Sequence, residues 1–203
     1  MKYLDYPEQQ KHGSLDFPYY FYRVTPIHPR YTMPYHWHLE YELILVLQGS
    51  FTLSLDGRQM ELQAGDSAWI ADGVIHGGAP HDCIYECVVF DLGTLLQDTP
   101  VCTKSAAAFL ASENGFSGRL AKGSTEAALA DRIFDAMERE QLGYEWTTVG
   151  LLWQLLGCLL GMHSDIKPPQ SRQQITRMKN VLTYIRNNYG EPITLDELAA
   201  VAG

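Results

Sequence analysis

The chain has 203 residues, 46% hydrophobic and 19% charged, with a formal net charge of −9. That length and balance allow one large globular domain or two small ones with a sizeable core. The acidity excludes a grip on a phosphate backbone by the bulk of the surface, so any nucleic-acid contact must come from a separate basic element. Cys83, Cys87, Cys102 and Cys158 form no CxxC pair and no zinc-finger spacing, and are expected as buried or half-buried thiols in a reducing cytosol. The polar N-terminus lacks an apolar signal region, and the longest apolar run, 149–162, is interrupted by Gln154 and too short to span a bilayer. A cytoplasmic protein with no membrane partner is expected.

Residues 1–18 are turn-rich and read as an arm. An aromatic strand follows at 19–24, then a loop broken by Pro26, Pro29 and Pro34. Strands are expected at 42–48, 51–55, 58–62, 67–70 and 84–91, with Asp56-Gly57 a two-residue hairpin turn. Many short strands joined by Gly and Asp turns indicate a sandwich or barrel.

Beyond residue 92 the pattern turns helical: an alanine-rich stretch at 102–112, a helix at 125–141 capped by Ser124, and a nearly all-apolar helix at 146–162. A helix apolar on all sides must be buried, either in the core or at a subunit interface. Pro168 to Ser171 forms a linker. An amphipathic helix at 174–188 follows, and a capping box at Thr194 and Glu197 opens a last helix that runs to Ala202 and Gly203.

The stretch PYHWHLEYELILVLQG, residues 34–49, carries the chemistry. On a regular strand, side chains of equal parity share a face, so His36, His38 and Glu42 would point the same way. His76 follows a Gly65-Asp66 turn, a short apolar strand and a second turn at Asp72-Gly73. Neutral imidazoles with one carboxylate suit a divalent metal, Zn, Ni, Fe or Mn. The same four groups could instead hydrogen-bond one another in a polar barrel mouth. They could also meet an organic effector, with Tyr22, Arg23, Trp37 and Trp69 as further effector-binding candidates, since aromatic rings stack on sugars and arginine pairs with carboxylates. Core packing is the competing role for each aromatic. Met60 and Met162 are read as packing, His28, His81 and His163 as surface or capping residues. A redox switch at Cys83 and Cys87 has no basic neighbour to support it.

The spacing His36-x-His38, three residues, Glu42, six residues, Gly49, and then the segment ending at His76, resembles the paired motifs of the cupin family. The second half departs from the pattern: Ala71 stands where proline is usual, and no asparagine follows His76. The tail, RMKNVLTYIRNNYGEPITLDELAAVAG, resembles the opening of the DNA-binding domain of AraC/XylS-type transcription regulators. Together the resemblances imply a mainly β protein with α: a cupin-like β-barrel (a double-stranded β-helix), helices packed on it, then the start of an all-α helix-turn-helix domain. They divide the chain into a sensing barrel with its arm at 1–97, a helical dimerisation segment at 98–166, a linker at 167–173 and the truncated helix-turn-helix start at 174–203. The implied function is effector sensing and homodimerisation in a regulator, with a sugar the common effector. DNA would be bound only by the full-length protein, through a recognition helix beyond Gly203. A small metal-dependent cupin oxygenase or isomerase is the alternative; it leaves the tail without a use and shows no base or nucleophile beyond the ligands. A carbohydrate-binding module is weaker for the same reason of the tail.

Overall fold

The computed structural model describes residues 17–96, 116–162 and 192–203, and, between them, 177, 180–182, 184–185 and 188–190. The expected arm (apart from Phe17 and Pro18), the 102–112 helix with Cys102, His163 and the 168–171 linker lie outside the described residues. Seven strands form one antiparallel sheet: β1 (Tyr19–Val24), β2 (Met33–His36), β3 (Tyr41–Leu55), β4 (Arg58–Gln63), β5 (Ser67–Ile70), β6 (His76–Phe90) and β7 (Gly118–Arg119). Helices α1 (Leu92–Leu96), α2 (Thr125–Arg139), α3 (Tyr144–Met162) and α4 (Leu195–Ala202) complete the described elements. No described helix is long and apolar enough to cross a membrane.

The two 15-residue strands β3 and β6 pair along their whole length and form the spine. The outer edge of β3 takes β5 and then β4, and the outer edge of β6 takes β1 and then β2. Laid straight, the run from Glu42 to Leu55 would be about 43 Å long. Yet His76, the partner of Leu55, touches the Glu42 carboxylate. The sheet therefore curls until its ends meet, which is the cupin-like arrangement implied by the motifs.

The expected pair of strands at 42–48 and 51–55 is one strand, kinked where its register slips on either side of Gln48. Gly49 sits beside the slip with φ +71°, and a Cβ there would lie 2.3 Å from the Asp82 carbonyl oxygen, so only glycine permits the bend. Strand β6 also starts earlier than expected, at His76 rather than near 84. Gly77, Gly78 and Pro80 hide it, because such residues have low strand propensity. Gly78 is required by packing: a Cβ would come 2.2 Å from the Phe51 ring.

Register assigns the two faces, because cross-strand partners point the same way. Glu42, Ile44 and Val46 pair with Val89, Cys87 and Tyr85 and face the barrel interior. Tyr41, Leu43 and Leu45 pair with Phe90, Val88 and Glu86 and face outward. Tyr19, Tyr41, Trp69 and Phe90 form an outward aromatic cluster, and Phe17 bridges it to Tyr144 of α3. Helix α2 begins as expected, with the Ser124 hydroxyl accepting from the Ala127 N–H at 3.1 Å. It buries Leu129, Ala130, Ile133, Phe134 and Met137. Helix α3 buries the stripe Thr148, Leu151, Leu152, Leu155, Leu156 and Leu159, and leaves Trp146 87% exposed. The described residues between 177 and 188 are helical, and α4 carries its capping box between Thr194 and Glu197.

Candidate metal and effector site

The regular-strand premise for His36, His38 and Glu42 does not hold. β2 ends at His36, the chain bends at Leu39 and Glu40, and β3 starts at Tyr41. The three side chains meet all the same, because the curled sheet returns Glu42 to the His36–His76 pairing of β2 with β6. His36, His38, Glu42 and His76 each offer a ligand atom, and these atoms all lie within 4.8 Å of one another. Three of the four are buried and His36 is partly exposed.

Each imidazole is oriented by a carbonyl two residues away. His36 Nδ1 is 2.8 Å from the Pro34 oxygen, His38 Nδ1 is 2.9 Å from that of Glu40, and His76 Nδ1 is 2.8 Å from that of Val74. A carbonyl only accepts, so each Nδ1 carries a proton, and a neutral ring then presents a lone pair at Nε2. Glu42 Oε2 lies 3.2 Å from His38 Nε2 and 3.0 Å from His76 Nε2. Lone pairs facing a carboxylate repel unless a cation intervenes, either a proton on a ring or a metal ion. The separations are those of neighbouring ligands bound at about 2.0–2.1 Å to one ion, and carbonyl-anchored imidazoles are the usual metal-ready arrangement. The residues fit a divalent metal.

The electrostatics agree. Burial, then the neighbouring His76, lowers the pKa of His36 from 6.5 to about 4, so the ring is neutral at neutral pH. Burial is the largest single influence on Glu42 and pushes its pKa up. The contacts with His38 and His76 outweigh it and hold the carboxyl well below its usual range. An anion among three imidazoles supplies the charge a cation needs.

The other candidates separate by face. Tyr22 lies on the interior face, paired with Cys87 beside Ile44. Tyr20, not singled out from the sequence, shares that face with Val89 and Glu42, and its ring centroid is 4.4 Å from that of Tyr22. Only the register reveals this. Arg23 points outward, ion-paired with Glu86 and Glu138. Trp69 is fully buried on the outward face, between Tyr41 and Phe90, and its indole nitrogen has no hydrogen-bond partner. Trp37 is buried between two of the cluster histidines in sequence. The structure thus joins Tyr22 with the four-residue cluster's face and takes Arg23 and Trp69 away from it.

Of the remaining residues, His28 Nδ1 accepts from the Arg30 N–H, and His81 meets the Thr52 hydroxyl on the surface. Cys83 and Cys87 are buried, and burial raises the Cys83 pKa to about 11, the opposite of what a reactive thiol needs. Met60 packs against the core.

Comparison with known proteins places this geometry. Residues 18–156 match the AraC-like ligand binding domain. An HTH-type transcriptional regulator of Bacillus subtilis (strain 168), YdeC, is 24% identical over 207 residues, covering 95% of this chain and 69% of the relative. The solved structure of ToxT from Vibrio cholerae superposes with a TM-score of 0.54 over 90% of this chain and 69% of that one, at 9% identity. ToxT from Vibrio cholerae O395 bound to (E)-4-(8-methylnaphthalen-1-yl)but-3-enoic acid gives a TM-score of 0.56 over 90% and 69%, again at 9% identity. At such identity these likenesses show a shared fold. The match over 18–156 shows the family: this chain belongs to the AraC-like ligand binding domain family.

Proposed function

We propose that the chain is the effector-sensing and dimerisation portion of an AraC-type regulator, acting in the cytoplasm. In this reading His36, His38, Glu42 and His76 hold a divalent cation (Zn, Ni, Fe or Mn), and a small effector, a sugar among the candidates, binds on the interior face beside Tyr22. The observation that carries it is the cluster's charge arrangement: two Nε2 atoms within 3.2 Å of one buried carboxylate oxygen, while every Nδ1 is committed to a carbonyl. ToxT, which shares the fold, has been solved with an organic acid bound, which supports a small-molecule effector here. The curated relative YdeC is an HTH-type transcriptional regulator, which favours this reading over an oxygenase or isomerase.

Dimerisation is assigned to the face of α3 opposite its buried stripe. Trp146, Gly150, Gly157 and Gly161 fall within about one-sixth of the helix circumference, and among the described residues a Cβ at any of the three glycines meets open space. The capped α4 opens the DNA-binding module, whose recognition helix would follow Gly203.

The test is metal analysis of protein purified without added ions, followed by a thermal-shift screen of sugars and the four metals. Retained metal, or a shift that His76→Ala removes, is the expected result. No bound metal and no shift with any compound would sink the sensing assignment. A longer chain carrying the recognition helix should bind a promoter fragment with steep salt dependence, and this chain should not.

A further inference from the structure

Consecutive residues of β1 face opposite sides: Tyr22 looks into the barrel, and Arg23 looks toward the helices. The Arg23 guanidinium has two carboxylate partners of different character. Glu86, on β6, has a side chain only 3% exposed, and its Oε1 lies 3.5 Å from Arg23 Nη1 with no hydrogen-bond partner of its own. Glu138, on the last turn of α2, has a side chain 42% exposed and ion-pairs with the same nitrogen. The nearby cation Arg139 is taken by Asp135 at 2.7 Å.

The apolar anchoring of α2 stops at Met137. Residues 138–142 are all exposed, and Leu142 fully so. The helix ends on Glu140 in the left-handed region, at φ 45°, where a non-glycine residue is strained. Past Met137 the ion pair with Arg23 ties the end of α2 to the sheet, and the next described ring contact along the chain is that of Tyr144 with Phe17.

We propose that Arg23 is a clasp with one fixed and one releasable seat: Glu86 keeps the guanidinium on the barrel wall, and Glu138 lets go, so the C-terminal turn of α2 opens from the sheet while the barrel stays folded. The asymmetry follows from burial. Releasing Glu138 separates two solvated charges, which costs little. Releasing Glu86 would leave a buried carboxylate unpaired on the covered outer face of the sheet, which costs much more. The clasp goes beyond the sensing role proposed above and does not depend on a metal or effector being found. It lies one residue from Tyr22, which faces the barrel interior.

Hydrogen exchange read by mass spectrometry on the whole 203-residue chain tests this. Glu138→Gln should raise exchange across 133–140 roughly two- to five-fold and leave 83–90 of β6 unchanged. Arg23→Gln should raise exchange in both regions, by about tenfold or more at β6. Asp135→Asn, which frees Arg139 without touching the clasp, should leave 83–90 as in the parent chain and disturb 133–140 less than Glu138→Gln does. If Glu138→Gln exchanges like the parent chain, or opens β6 together with the helix end, the clasp is refuted, whether or not Arg23→Gln folds.

Discussion

Replacing Glu42 by Gln is the sharpest probe of the cluster. The change keeps the shape of a side chain that is 3% exposed and removes its negative charge. In the metal-free protein the carboxamide NH2 can donate to the Nε2 lone pair of His38 or His76, so stability at neutral pH should change by no more than about 1 kcal/mol. Metal binding should suffer far more. Loss of a residue that merely orients a ligand costs about 10–100-fold in affinity, so losing the anionic ligand itself should exceed about 100-fold. At a zinc or nickel concentration about 100 times the parent Kd, binding stabilises the parent by about 2.7 kcal/mol. For a domain of this size that raises Tm by roughly 5–11 °C. The Gln variant, then near its own Kd, gains about 0.4 kcal/mol, or roughly 1 °C. The assay is differential scanning fluorimetry with Zn, Ni, Mn and Fe(II) against a chelator control. A parent chain that shifts with none of them, or a Gln variant that shifts as much as the parent, would refute the reasoning.

Acid should destabilise the metal-free protein. The folded pKa of His36 lies at about 4 against 6.5, so the unfolded chain binds more protons between those values and stability falls as pH drops through them. The contribution is complete above pH 6.5 and amounts to at most about 3 kcal/mol. The depressed Glu42 adds a loss of the same sign below pH 4.5; urea midpoints that stay flat from about pH 7 to 4 would contradict the first, and midpoints that fall no further below about pH 4 would contradict the second. Gly78→Ala drives a Cβ to 2.2 Å from a fully buried Phe51 ring and should cost about 1–3 kcal/mol; in a thermal-denaturation cycle with Phe51→Leu the double variant should be more stable than the sum of the singles, and simple additivity would argue against the contact. Trp69→Phe removes an indole N–H that has no partner, so it should lower Tm by only a few degrees and leave any metal- or effector-induced shift intact; loss of the shift would return Trp69 to the site.

Local chemistry was the legible part. The aromatic strand at 19–24, the Asp56-Gly57 turn, the Ser124 cap and the Thr194–Glu197 box each involve groups within a few residues of one another, and each forms where expected. The four cluster residues were also legible, because their types and spacing carry the metal-ligand pattern whatever the path between them. Strand β6 was half hidden, since Gly77, Gly78 and Pro80 lower local strand propensity for reasons that lie in Phe51 and Tyr35, far along the chain. Trp69 and Arg23 turn to the outward face, away from the cluster, and the sequence could not show it, because parity along one strand says nothing about which side becomes the interior.

The sequence by itself determined the alphabet of the site, three imidazoles and a carboxylate, and the mainly β character of the chain with helices after it. Only the tertiary structure decided that these groups meet. The curl of β3 and β6 brings Glu42 to His76 across 34 residues, and backbone carbonyls, which no side-chain pattern encodes, turn every Nε2 inward. Which face is interior, and therefore which aromatics line a pocket and which serve as packing, depends on the register between strands distant in sequence. That register is set by total burial summed over the whole sheet, not by any stretch read alone.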